Sequence, residues 1–175
     1  MNPSTLKPQP PVPQSSKPQR NQSSLKLITF GIGNLTLALP IDAVFKVVNC
    51  EPVYSSGLNH MGVTHIGDRE ITIVDLQHKL FKTASANEST ATGYLAIGQN
   101  HQGEFFGIPT PEPPLLMEVP LEAVRLLPPA YRRADTLGIA DRVAVIPQAS
   151  TPQTIFLLDV DCLLPAAMET VELMH

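Results

Sequence analysis

The amino-acid sequence predicts a mostly β protein built from two small barrels and a few short helices. Charged residues make up only 16% of the chain and Trp is absent. Val, Ile, Leu and Thr crowd its middle, which suits half-buried pleated strands better than long surface helices. Short alternating runs are punctuated by Gly, Asn and Asp turn signals, and their order partly repeats in the second half. A chain of 175 residues has room for one ordinary domain or for two small barrels sharing an interface.

Residues 1–24 carry Pro3, Pro8, Pro10, Pro11, Pro13 and Pro18 among Ser and Gln. That mixture buries too little apolar surface to offset the entropy of ordering, so it reads as a disordered basic tail. Val12 lies in a short polyproline-type stretch that could be a ligand for another protein, although a plain flexible leader is the simpler account. Order is expected from Leu25. Leu25, Leu27 and Thr29 alternate with Lys26, Ile28 and Phe30, and Gly31, Gly33 and Asn34 supply a tight turn before Leu35, Leu37 and Leu39. Pro40 removes a backbone donor and ends that strand, and residues 43–48 resume as a third strand that can pair with the hairpin.

A second hairpin is expected from residues 63–66 and 69–74, which flank Gly67-Asp68, a pair suited to positive φ. So many short strands must close to hide their edges, and a barrel is the economical solution. The period then changes at Asp75. Leu76, Leu80 and Phe81 share a helical face with Asp75 at the capping position. Residues 84–92 are rich in Ser, Thr and Ala and read as a linker.

After that linker, residues 94–98 and 104–109 form another expected hairpin around 100–103. Gly138-Ile139-Ala140 parallels Gly62-Val63-Thr64, and Ile155 to Asp159 parallels Ile73-Val74-Asp75. The expected organisation is a tail at 1–24, a domain at 25–168 with a first barrel at 25–83 and a second at 93–164, and a C-terminal helix or tail at 165–175. Met168, Val171 and Leu173 stand at helical spacing there. Pro109, Pro111, Pro113 and Pro114 cannot donate a hydrogen-bond ladder, so this stretch is expected to be an edge or a loop rather than a central strand.

The net charge is −4, but Lys7, Lys17 and Arg20 are unopposed in the tail, which leaves about −7 on the rest. No basic stripe with interleaved aromatics is present, so no nucleic-acid partner is expected. Cys50 and Cys162 have neither metal-ligand spacing nor the density of a secreted disulfide framework, and are expected to be reduced, partly buried thiols. No basic-then-apolar leader is seen, and no apolar run approaches the roughly 18–20 residues that cross a bilayer. The cytoplasm is the expected compartment, without direct membrane insertion.

The run Phe30-Gly31-Ile32-Gly33-Asn34-Leu35-Thr36-Leu37-Ala38-Leu39-Pro40-Ile41, followed by Ala43-Val44-Phe45-Lys46-Val47-Val48, resembles the opening of the CheW-like family of chemosensory adaptors. Gly62-Val63-Thr64-His65-Ile66-Gly67-Asp68-Arg69-Glu70-Ile71-Thr72-Ile73-Val74-Asp75-Leu76 resembles its Gly-Val-hydrophobic-Asn-Leu-Arg-Gly signature running into Asp-Leu. Leu137 to Ala140 and Phe156 to Asp159 resemble pieces of its second barrel. The resemblance implies two five-stranded, SH3-like barrels packed side by side in a bacterial protein. It also implies a non-catalytic role in chemotaxis-type signal transduction. The implied partners are the regulatory domain of a histidine kinase and the cytoplasmic tip of a chemoreceptor. Lys46 stands where the family has Glu, Gly67-Asp68 where it has Arg-Gly, Leu37 where it has an aromatic and Thr72 where it has Pro. These departures put charge complementarity to the usual partners in doubt, and Arg69 could restore a positive charge two positions on.

An enzyme would need a constellation of reactive groups. His60, His65, His78 and Asp75 could be imagined around a metal, but their spacing in strands and turns defines no common face, so no metal and no cofactor are expected. No phosphate loop, zincin helix, nucleophile elbow or dinucleotide fingerprint occurs. Asp75 and Asp159, one from each half, could share a proton as in a two-lobed aspartic hydrolase. Asp75-Leu76-Gln77 and Asp159-Val160-Asp161 lack the Asp-Thr-Gly or Asp-Ser-Gly loops of that chemistry, and helix capping accounts for both acids. Arg132, Arg133 and Asp135 read as a connecting loop. The expected partner-binding residues are Val44, Lys46, Val47, Val48, Ile66, Gly67 and Arg69, with the apolar members supplying area and Arg69 orientation. Each contact is expected to bury about 1,000 Å² or less, as suits reversible association. A drifted member serving another regulatory or pilus-type complex is the alternative within the binding class.

Overall fold

The computed structural model describes residues 8–11, 23–49, 54–55, 61–81, 93–132 and 138–165. The first half holds β1 (Ser24–Ile32), β2 (Leu35–Pro40), a 3-10 turn (Ile41–Ala43), β3 (Val44–Asn49), β4 (Tyr54–Ser55), β5 (Met61–Ile66), β6 (Arg69–Val74) and α1 (Leu76–Phe81). The second half holds β7 (Tyr94–Gln99), β8 (Phe105–Thr110), β9 (Leu115–Pro120), a 3-10 turn (Leu121–Ala123), β10 (Val124–Leu126), α2 (Pro129–Arg132), β11 (Ala140–Ile146), β12 (Gln153–Leu158) and a last 3-10 turn (Val160–Cys162). The mostly β class stands. The expected tail at 1–24 falls largely outside the described residues, as do the 84–92 linker and all of the C-terminal segment beyond Pro165. Among the described residues no helix is long and apolar enough to cross a membrane.

The local elements follow the sequence closely. Gly33 and Gly67 take φ values of +58° and +63°, the left-handed conformation their two-residue turns require. Asp75 caps α1, its Oδ1 accepting from the His78 N–H at 3.1 Å, and Leu76 and Leu80 are buried with Phe81 packed beside them. Asp159 repeats the device, its Oδ1 accepting from the Asp161 N–H at 3.1 Å.

The assembly of those elements departs from the expected sequential barrels. One sheet has the order β10-β11-β12-β2-β1-β9 and the other β4-β5-β6-β8-β7-β3. The orders are equivalent strand for strand when the first half is exchanged for the second, and β12·β2 and β6·β8 are the parallel pair in each. The two halves are therefore topological repeats, as their sequence echoes suggested. Neither barrel is made from one half, however, because each receives its β1–β2 or β7–β8 hairpin from the other. The 25–83 and 93–164 division describes the repeat and not the hydrogen-bonded sheets. Likewise β3 does not join the β1–β2 hairpin. The 3-10 turn after Pro40 redirects the chain, and β3 pairs with β7 in the other sheet.

Each sheet has five principal strands and a short sixth, and each curls around its own core. Leu27, Ala38, Val119, Ala144, Ile155 and Leu157 fill the first, with Val124 of the opposite edge packed against them. Ile71, Ile73, Leu95 and Ile97 fill the second, with Val48, Ile66 and Phe105 against them. Because side chains alternate along a strand, the outward faces of β1, β2, β6, β8 and β12 carry a second set of apolar residues. Phe30, Ile32, Leu37, Leu39, Val74, Phe106, Ile108 and Leu158 meet there with α1 and with Val160, Leu163 and Leu164. Strands buried on both faces read as continuous apolar runs, which is why Leu35–Leu39 and Ile155–Leu158 show little polar alternation.

The proline stretch needs a correction. Pro109 and Thr110 belong to β8, which lies between β7 and β6. The β6 pairing stops at Ile73↔Gly107, so Pro109 lies beyond it and its missing N–H needs no partner from β6. The loop proper begins at Pro111.

A tight approach surrounds Gly98, whose cross-strand partner is Phe106 of β8. A β-carbon on Gly98 of β7 would lie 2.5 Å from Phe106 Cζ and 2.8 Å from the Ala43 carbonyl oxygen, whereas one on Gly31 would meet nothing within 4 Å. Gly98→Ala is therefore expected to cost about 1–3 kcal/mol, and Gly31→Ala to stay within about 0.5 kcal/mol of wild type. Urea denaturation of the two variants checks the contrast.

Candidate partner-binding site

β6 and β8 run parallel, and β3 runs antiparallel to β7, which is antiparallel to β8. The first residues of β3, β6 and β8 therefore emerge at one end of the barrel, beside the last residue of β5. That topology gathers Phe45, Arg69, Phe105 and Ile66 from four separate segments. The rings of Phe45 and Phe105 meet edge to face with centroids 5.5 Å apart. The Arg69 guanidinium carbon lies 5.0 Å from the Phe45 centroid and 4.7 Å from that of Phe105, and Lys46 Nζ lies 5.7 Å from Phe45. Each contact is within the range where a ring quadrupole attracts a cation.

Phe45 reaches this cluster through a register shift. Val44 pairs with Gly98 and Lys46 with Ile97, so the ladder skips Phe45 and leaves it 50% exposed. A bulge re-aims a side chain at the rim of a barrel in this way. Ile66 and Arg69 are paired across the Gly67-Asp68 turn. Glu70, the acid next to Arg69, lies 3.8 Å from His65. Among the described residues neither Arg69 nor Lys46 has a carboxylate partner.

Of the seven residues expected at a partner surface, Lys46, Val47, Gly67 and Arg69 are exposed. Val44, Val48 and Ile66 are half-buried. Val48 and Ile66 pack on the barrel core, and Val44 packs on the core between the sheets. They support the surface more than they compose it, and Val47, at 40% exposure, is the member that offers apolar area. Phe45 and Phe105 were not anticipated as site residues. The sequence carries no signal for the exposure of Phe45, which follows from the skipped register against β7. Nothing near Phe105 in sequence signals its meeting with Arg69, which depends on the parallel β6·β8 pairing.

The other candidate groups have structural employment. Asp75 and Asp159 accept hydrogen bonds from backbone N–H groups of the turns they cap, and Asp159 Oδ2 also accepts from Cys162 Sγ at 3.4 Å. Cys162 is exposed rather than partly buried, and desolvation together with the Asp159 carboxylate raises its thiol above the ordinary value. His65 and His78 lie on β5 and α1, His60 is outside the described residues, and no cluster that could hold a metal occurs among those described. Arg132 lies on α2, while Arg133 and Asp135 are outside the described residues. Cys50 is also outside them.

A polar clasp joins the β7–β8 turn to the end of the other sheet. Asn100 Oδ1 accepts from the N–H groups of Gln102 and Glu104 at 3.0 and 2.9 Å. The next residue, His101, donates its N–H to Asp161 Oδ1 at 3.1 Å and places Nδ1 2.6 Å from Asp161 Oδ2. These hydrogen bonds favour the carboxylate and hold Asp161 below the ordinary aspartate range. A group lowered in this way stabilises the folded chain above its unfolded-state titration, and that contribution fades as pH falls through the lowered value. The side-chain carbonyl signal of Asp161 is expected to titrate at lower pH in the native protein than in urea, and His101→Ala is expected to shrink the difference without removing it, because the backbone N–H of residue 101 still donates to Oδ1.

No protein-family model and no curated protein sequence matches this chain. Among solved structures, the scaffolding protein TtCheW from Thermoanaerobacter tengcongensis aligns with a TM-score of 0.67 over 85% of this chain and 93% of that one, at 12% identity. At that identity the likeness is one of fold. The chain has a divergent CheW-like fold.

Proposed function

We propose that this protein is a non-catalytic adaptor of a bacterial chemotaxis-type signalling complex, coupling chemoreceptors to a histidine kinase through protein-protein contacts. The observation that carries the reading is the fold it shares with a scaffolding protein across most of both chains. Surface chemistry supports it. Phe45 is 50% exposed beside Arg69 and Lys46, and Val47, next in β3, is 40% exposed, a mixture of aromatic, aliphatic and Arg surface that suits protein recognition. The acids needed for a paired-Asp hydrolase are occupied as turn caps, which favours binding over catalysis. The kinase regulatory domain and the receptor tip are the partners in this reading, and the cytoplasm is its compartment.

Lys46 and Gly67 support a second reading. They replace the charges expected from the family resemblance, so the same fold could serve another regulatory or pilus-type complex after losing one original partner. Co-purification from cells separates the two. Arg69→Ala and Val47→Asp, both at exposed positions, are expected to reduce recovery of a histidine kinase or receptor by about tenfold or more each while circular dichroism stays unchanged. Undiminished recovery with both variants folded would remove this surface from the adaptor's contacts. Recovery of a different complex would favour the second reading.

A further inference from the structure

We propose that Arg69, packed against the rings of Phe45 and Phe105 with Lys46 alongside Phe45, is a preformed receptor for a carboxylate on an acidic-apolar segment of a partner protein. The inference rests on the reading of this rim as a partner surface and adds the chemistry that the partner must present.

The geometry explains why the ligand is an anion. The guanidinium carbon lies within 5.0 Å of two ring centroids, and with the rings inclined at 76° to each other the planar group cannot lie flat on both; the contacts cover part of it and restrict its orientation, but aromatic carbons are poor acceptors for its five N–H donors. Those donors remain for a ligand. Most exposed arginines lose considerable rotamer freedom when they bind, whereas one already clamped loses less per hydrogen bond formed. No carboxylate among the described residues satisfies the fork. Glu70 is the nearest in sequence along β6, and it lies beside His65 at 3.8 Å.

Charge and shape narrow the ligand further. Lys46 and Arg69 are balanced in sequence by Asp68 and Glu70, so the rim has little formal net charge. That favours a single carboxylate, which an Arg fork engages in a bidentate manner, over a phosphate dianion that would meet two nearby acids. Phe45, 50% exposed, requires an apolar neighbour on the ligand if it is to be covered. A Glu or Asp flanked by Leu-like side chains on one partner segment meets both demands. A nucleic acid does not.

The test uses the full chain and three synthetic amphipathic peptides that differ only at the acidic positions, which carry Glu, Gln or phosphoserine between Leu residues. Fluorescence anisotropy reads affinity. The Glu peptide is expected to bind about tenfold or more tightly than the Gln peptide. Arg69→Gln should abolish that preference, and Arg69→Lys should weaken it although the charge is kept, because an ammonium offers no planar fork to stack. Phe105→Leu should reduce it several-fold, and the Arg69 Nε–H signal in NMR should shift with the Glu peptide alone. The proposal is overturned by equal binding of Glu and Gln peptides, by a preference that survives Arg69→Gln, or by the absence of Glu-dependent binding at millimolar peptide. Stronger binding of the phosphoserine peptide overturns the carboxylate assignment in favour of a phosphopeptide. A Glu preference abolished by Arg69→Gln, in a chain that recovers neither kinase nor receptor from cells, would uphold the carboxylate receptor and reject the adaptor reading.

Discussion

The apolar seam between the two sheets is the constraint on which the rest of the molecule depends. Each barrel has a small core of its own, but the larger cluster lies outside both, where Phe30, Ile32, Leu37 and Leu39 of one sheet meet Val74, Phe106 and Ile108 of the other. Burying a side chain of this kind contributes about 1.5–3 kcal/mol, so two barrels too small to be secure alone are stabilised by sharing a face. The exchanged hairpins deepen that dependence, since β1–β2 belongs to one half in sequence and to the other half's sheet in hydrogen bonding. Separating the barrels would break covalent continuity at both crossings.

Both short helical closures serve the seam. Asp75 and Asp159 end apolar strands and start turns that place Leu76 and Leu80 on one side, and Val160, Leu163 and Leu164 on the other, into the same cluster. Two acids that could have suggested paired-carboxylate chemistry are thus explained by the backbone donors of the turns they begin. The repetition of the device in both halves fits an internally repeated architecture.

A barrel whose strands are tied down by this seam can hold irregular chemistry at its rim. The bulge that skips Phe45 leaves an aromatic half in solvent, and the parallel β6·β8 pair sets Arg69 and Phe105 side by side. The resulting cluster rests on the barrel core through Ile66 and Phe105. It sets a cation against two rings beside an exposed aromatic.

Much of the fold was legible in the sequence, because strand alternation, the positive-φ glycines at 33 and 67, and the capping acids at 75 and 159 are governed by neighbours a few residues away. Lys46, Val47 and Arg69 were legible as surface positions for the same reason. The exchange of hairpins between barrels, the burial of Val48 and Ile66 against a core, and the passage of a central strand through Pro109 were not. Those features depend on which strands meet across about 34 to 119 residues of chain, and a local pattern carries no term for that choice. Phe105 joined the site through such a meeting. The sequence by itself determined which segments would become strands and which of their faces would seek burial. Only the tertiary structure decided their partners, because several pairings can hide the same apolar faces and the choice among them lies in the packing of the whole seam.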